Sequence, residues 1–158
     1  VEFAPELKRY LEANYPNHTY VGWGDPSGGN STQSSDDTAI QILRAAGIPC
    51  QPTQSNNPLH RRAALEVPMK EMAMDGKPRF VVLPKASMIR KGLQGGFCYK
   101  RVQVSGEKYA DKPDKNEYSH FVEGLEYGLQ GEGEGRQALR QSSNFTKPVQ
   151  AKVNFSVF

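Results

Sequence analysis

Thr19-Tyr20-Val21-Gly22-Trp23-Gly24 runs directly into Asp25-Pro26-Ser27-Gly28-Gly29-Asn30. The first six residues read as a short buried strand, and the next six are turn formers. Asp25 therefore stands at the carboxyl end of a strand, where open α/β sheets place their sites. A carboxylate before proline is more commonly an ordinary turn residue, so position alone assigns Asp25 no chemistry.

Outward from this strand, helical and extended patterns alternate. Upstream, Phe3, Leu7, Tyr10 and Leu11 share a helical face over residues 3–14, and Tyr15-Pro16-Asn17 ends it. Downstream of a polar run (Ser31–Ser35), Asp36 or Asp37 is placed to cap a helix carrying Ile40, Leu43 and Ala46, with Gly47 as its stop. Ile48-Pro49-Cys50 suits a short strand. Asn57-Pro58 suits a helix start with proline in the first turn; that helix carries Ala63, Leu65 and Val67, and Pro68 is expected to kink or split it. Arg79-Phe80-Val81-Val82-Leu83-Pro84 gives the clearest strand signal, an apolar run expected in a sheet interior.

The stretch 85–96 is basic and glycine-bearing, a β pattern resumes over Phe97–Ser105, and 106–117 reads as a charged loop. Ser119 is placed to cap a helix over 120–130 with Val122, Leu125 and Leu129 as its core side. Gly131-Glu132-Gly133-Glu134-Gly135 reads as a flexible linker. In the tail, Val149, Ala151, Val153, Phe155 and Val157 alternate as in a half-buried strand. Alternating helices and strands predict an α/β layered fold.

The 158 residues suit one domain with a real core, and 37% hydrophobic with 23% charged residues is a globular composition. No apolar run is long enough to cross a bilayer, so no membrane partner is expected. The chain opens at Val1 without a signal peptide, as expected of a fragment, a processed product or a trimmed chain. Lys and Arg total 20 against 17 Asp and Glu, a net +3 that is too small to argue nucleic-acid binding by itself. The basic residues nevertheless cluster at Arg61-Arg62, Arg90-Lys91, Lys100-Arg101 and through Lys108, Lys112 and Lys115. Cys50 and Cys98 lie far apart in apolar surroundings, with no C-x-x-C pair; buried free thiols are the expectation, and a zinc site is not.

Besides Asp25, the segment Ser119-His120-Phe121-Val122-Glu123 offers chemistry. On a helix His120 and Glu123 share a face, and an imidazole beside a carboxylate binds a metal or activates water. A glutamate in a first helical turn is also simply favoured by the helix dipole. Asp36-Asp37 is adequately explained by capping. No Walker A pattern exists, and Gly92, Gly95 and Gly96 form a glycine-bearing loop of other spacing, open to close backbone approach or a plain turn.

Five segments in order resemble the large terminase subunits of tailed double-stranded DNA phages. Tyr20-Val21-Gly22-Trp23-Gly24-Asp25-Pro26-Ser27-Gly28 is similar to the family's strand ending in Gly-Asp-Pro-Ala-Gly, with Ser27 for the commoner Ala. Asp37-Thr38 with Gly47-Ile48 resembles the next helix and its Gly-Ile turn. Asn56, Asn57 and Arg61 or Arg62 lie where the family has an Asn- and Arg-bearing helix start. Leu83-Pro84-Lys85 through Ile89-Arg90-Lys91-Gly92-Leu93 and Gly95-Gly96-Phe97-Cys98-Tyr99 resembles its glycine-aromatic segment. Pro113-Asp114-Lys115-Asn116-Glu117-Tyr118-Ser119-His120, before a helix ending near Tyr127, is similar to its closing motif and is the most specific of the five.

The resemblance covers residues 3–130. It implies an RNase H-like nuclease domain over 1–130, a mixed sheet flanked by helices, followed by a linker and tail over 131–158. It implies metal-dependent cutting of concatemeric double-stranded DNA by two Mg²⁺ or Mn²⁺ ions about 4 Å apart. Asp25 matches the family's central strand carboxylate. Glu123 falls where the closing helix usually has Asp, and His120 is a further metal-ligand candidate. Arg90, Lys91, Lys100 and Arg101 are the expected DNA contacts. The family's first catalytic Asp lies upstream of the Gly-Asp-Pro motif and has no counterpart after Val1, so an incomplete domain lacking its first strands, weak or inactive alone, is expected. The implied partners are DNA, the small terminase subunit and the portal protein, in the host cell cytoplasm during phage assembly. A non-catalytic module docking to DNA or to the capsid portal is the alternative.

Overall fold

The computed structural model describes residues 3–29, 38–102 and 108–136. They form a mixed α/β arrangement of five helices and two two-stranded sheets: α1 (Phe3–Asn14), β1 (Gly22–Gly24), α2 (Ala39–Ala45), β2 (Cys50–Pro52), α3 (Pro58–Lys70), α4 (Ser87–Lys91), β3 (Tyr99–Arg101), β4 (Tyr109–Pro113) and α5 (Ser119–Gly131). No helix among them is long and apolar enough to cross a membrane.

β1 and β2 pair in parallel, Gly22 opposite Cys50 and Gly24 opposite Pro52. Gly22 lies against the Cys50 side chain, where an added Cβ would stand 3.2 Å from Sγ. Helix α2 connects the two strands. Its cap is Thr38, not an aspartate: the Thr38 hydroxyl accepts from the Gln41 N–H, and the Gln41 side chain accepts from the Thr38 N–H. This reciprocal box satisfies two donors that a helix start leaves open. Asp36 and Asp37 lie outside the described residues. After α2, Gly47 takes φ +78, the left-handed turn that glycine adopts without penalty.

Helix α3 begins as expected, with Asn57 accepting from the Leu59 N–H and Pro58 in the first turn. Pro68 does not split it; the helix runs on to Lys70 with Pro68 buried. Helix α5 packs against both α3 and β1. Ser119 starts α5 but does not cap it. Its hydroxyl is fully buried and accepts from the Asn116 N–H, while the Asn116 side chain accepts from Tyr118. The core comprises Ala4, Ile40, Ile48, Cys50, Ala64, Leu65, Val122 and Tyr127.

Several expectations are corrected. The 79–84 run is not a sheet strand: its neighbourhood shows only the Met72–Pro78 bridge, and Val81 and Leu83 are 64% and 65% exposed. Residues 106–117 are not all loop, because β4 pairs antiparallel with β3. On α1, Ala4 is buried, whereas Phe3 and Tyr10 are exposed. Cys50 is buried but Cys98 is exposed. On α5, Leu125 and Leu129 are only half-buried; Glu123, Glu126 and Gln130 are buried instead.

The glycine-rich run after α5 folds back in its described part. The Trp23 indole N–H donates to Glu132 at 2.9 Å, and a Cβ on Gly131 would lie 2.1 Å from the Trp23 ring. Gly135 is buried against the Ala63–Ala64 backbone of α3. The alternating tail, 149–157, lies outside the described residues.

Candidate functional site

Asp25 follows β1 directly. Its carboxylate accepts from the Ser27 N–H at 2.8 Å, and its backbone carbonyl accepts from Gly28, forming the turn Pro26–Gly29. Tyr127 on α5 lines the same cavity as Asp25, and its phenol and the Asp25 carboxylate perturb one another. Burial opposes ionisation of Asp25, but the bonds from Ser27, with Tyr127 and Arg61 nearby, outweigh it and hold the carboxyl below its ordinary range. Burial, with the influence of Asp25, holds the Tyr127 phenol above its ordinary value.

Arg61, in the second turn of α3, organises the acids. It is 6% exposed, its Nη2 donates to Glu123 Oε1 at 3.1 Å, and its Nε lies 3.7 Å from Glu126 Oε2. The guanidinium stacks 4.9 Å from the Tyr127 ring centre, while Nε has no hydrogen-bond partner among the described residues. Lys115, just before α5, grips the other Glu123 oxygen from the solvent side. Burial pushes Glu126 up to about 7; the attraction of Arg61 lowers it only partly, and repulsion from Glu123 adds to the rise.

Asp25 and Glu123 line one open polar cavity of about 490 Å³, with Asn56, Asn57, Arg61, Lys112, Lys115 and Tyr127. His120 is exposed in the first turn of α5 and is not among the residues lining this cavity. Arg90 and Lys91 are exposed at the end of α4, also away from the cavity lining. Lys100 and Arg101 are exposed on β3, and Lys100 pairs with Asp114 at 2.9 Å.

Among the described residues no group of three or more His, Cys, Asp or Glu gathers where a metal ion could sit. Asp25 and Glu123 are two carboxylates on one cavity, the number that a single Mg²⁺ or Mn²⁺ takes from a protein while keeping several waters. They do not make up a two-ion set. Room for even one ion requires Lys115 to leave Glu123, and its side chain, 65% exposed, has the freedom to do so.

Sequence reasoning named Asp25 and Glu123 as site residues and Arg61, Lys112 and Lys115 only as parts of basic clusters or motifs, and it did not single out Glu126 or give Tyr127 a role. A signal existed: Glu123, Glu126, Tyr127 and Gln130 repeat at i, i+3, i+4 and i+7, the spacing of a buried helix face. No family model, curated protein or solved structure matches the chain.

Proposed function

We propose that the chain is part of the nuclease unit of a phage packaging terminase, an RNase H-like domain that cuts concatemeric double-stranded DNA at the Asp25–Glu123 cavity. One observation carries this reading. Three of the five segments that bear the terminase resemblance deliver side chains to a single cavity: Asp25 from the first, Asn56, Asn57 and Arg61 from the third, and Lys115, Glu123 and Tyr127 from the closing motif and its helix.

Asp25 and Glu123 would hold one Mg²⁺ or Mn²⁺, which when bound supplies positive charge to the phosphate under attack. The Ser27 N–H orients Asp25, and Arg61 orients Glu123. Lys112 and Lys115 offer charge to neighbouring phosphates of the same strand. Arg90, Lys91, Lys100 and Arg101 extend that contact without reading sequence. On this reading the small terminase subunit and the portal protein are partners, and the work takes place in the host cell cytoplasm.

A second reading, a non-catalytic module docking to DNA or to the portal, is favoured by the cations. Both Glu123 oxygens are already taken by Arg61 and Lys115, and three cations line the cavity against Asp25 and Glu123. Calorimetric titration with Mn²⁺ beside a plasmid-cleavage assay separates the two. The nuclease reading expects one ion bound, slow cutting in Mg²⁺, faster cutting in Mn²⁺, and loss of both binding and cutting in Asp25→Asn. DNA binding with no ion taken up and no effect of Asp25→Asn establishes the docking reading.

A further inference from the structure

Beside the acidic cavity lies a second one of about 210 Å³, enclosed by α3, α5 and the 92–99 segment. Pro58, Arg61 and Pro113 line both, so the two cavities adjoin. Leu65, Met69, Leu93, Phe97 and Tyr99 give the second cavity apolar and aromatic walls. Arg62 fixes Tyr99, donating to its hydroxyl at 3.0 Å and stacking 5.3 Å from the ring centre. Gly92 lets α5 close the space: a Cβ there would meet Val122 at 2.5 Å.

The cavity also holds a carboxyl to which no side chain among the described residues donates a hydrogen bond. Glu126 lines it and is 5% exposed. Its ion-pair partner among the described residues is Arg61 at 3.7 Å, beyond hydrogen-bond reach. A buried carboxyl without a donor is costly, and a ligand bringing N–H groups to it relieves that cost. An apolar cavity of about 150 Å³ accepts benzene, so this one accommodates a heterocycle of one or two rings.

We propose that this cavity receives one unpaired DNA base, held against Phe97 and Tyr99 with its donor edge on Glu126, while the phosphate beside it lies among Lys112, Lys115 and Arg61. The inference rests on the DNA-acting reading above. Enzymes that extrude a base hold it in just such a setting, between apolar or aromatic side chains with hydrogen bonds to its pairing edge. Guanine fits best to the ionised form of Glu126, so the binding is read at pH 8: its N1–H and N2–H donors lie side by side and match the two oxygens of a carboxylate. Cytosine and adenine present a donor beside an acceptor, and thymine presents one donor between two acceptors.

The test uses single-stranded oligothymidylate and the same oligonucleotide with one central guanine, adenine or cytosine, with binding followed by fluorescence anisotropy. The guanine-bearing strand is expected to bind about tenfold more tightly than oligothymidylate, as a bidentate base contact provides. That preference is expected to vanish in Glu126→Gln, which keeps the shape, and in Met69→Trp, which adds bulk to the cavity lining. Oligothymidylate binding with no guanine preference, or a preference that survives both substitutions, overturns the base pocket and leaves the DNA-acting reading standing. Failure to bind any of the strands while duplex DNA is still bound overturns the base pocket alone, and failure to bind duplex DNA as well overturns both.

Discussion

Arg61 on α3 and Glu123 on α5 form an ion pair at 3.1 Å with both side chains almost wholly out of water. Burial makes each ion depend on the other, because an isolated charge there has lost its hydration without compensation. Arg61→Leu is therefore expected to destabilise the fold by about 3–5 kcal/mol, leaving Glu123 without its buried partner. Lys115→Ala removes the outer partner, whose side chain is 65% exposed, and is expected to cost less than about 1 kcal/mol. Urea unfolding of the two variants checks this; equal losses would contradict it.

Glu126 sets a pH dependence. In the folded chain it keeps its proton to about 7, against an ordinary value of 4.5. Between those values the folded state binds more protons than the unfolded one, so stability falls as pH rises. The contribution is fully present below 4.5 and is lost as pH passes through about 7. The loss is on the order of 3 kcal/mol. Unfolding free energies measured from pH 4.5 to 8 are expected to show this decline in the native chain and a shallower one in Glu126→Gln. Parallel curves would refute the assignment.

Two glycines near α5 are expected to respond oppositely to alanine. At Gly92 a Cβ would sit 2.5 Å from Val122, so Gly92→Ala forces the α4–α5 contact apart and is expected to cost about 1–3 kcal/mol. At Gly124, inside α5, nothing lies within 4 Å, so Gly124→Ala should stabilise by about 0.5–1 kcal/mol through helix propensity alone. Thermal unfolding of the pair gives the two signs directly.

DNA affinity is expected to fall steeply with salt, since each phosphate neutralised by Lys or Arg releases counterions. Replacing Arg90 and Lys91 by Gln should lower the slope of log affinity against log salt by about one per contacted phosphate. Lys100→Gln should change it less, because Asp114 already holds that ammonium. A slope indifferent to all three substitutions would show that DNA lies elsewhere.

What the sequence made legible was local. The start of α3 followed from Asn57-Pro58, the stop of α2 from Gly47, and the placing of Asp25 at a strand end from the turn formers after Gly24. What it hid was non-local. Phe80-Val81-Val82-Leu83 has the apolarity of an inner strand, but a strand needs a pairing neighbour, and none of the described residues provides one there. Glu123 was legible as a site candidate, but Glu126 was not singled out, and the buried guanidinium that α3 places across from both could not be seen. The leucines of α5 lose the inner face for the same reason: a guanidinium opposite favours carboxylates over alkyl groups.

Trp23 is the protein's single tryptophan, and it sits where β1 meets the end of α5, hydrogen-bonded to Glu132 and pressed on Gly131. Two residues along from it is Asp25, and on the helix beneath it are Glu123 and Tyr127. Any separation of those two elements breaks the indole's bond to Glu132 and changes the surroundings of the half-buried ring. The chain therefore carries its own optical gauge: the emission maximum of one native chromophore, read without labelling, reports whether the two halves of the cavity are still seated together.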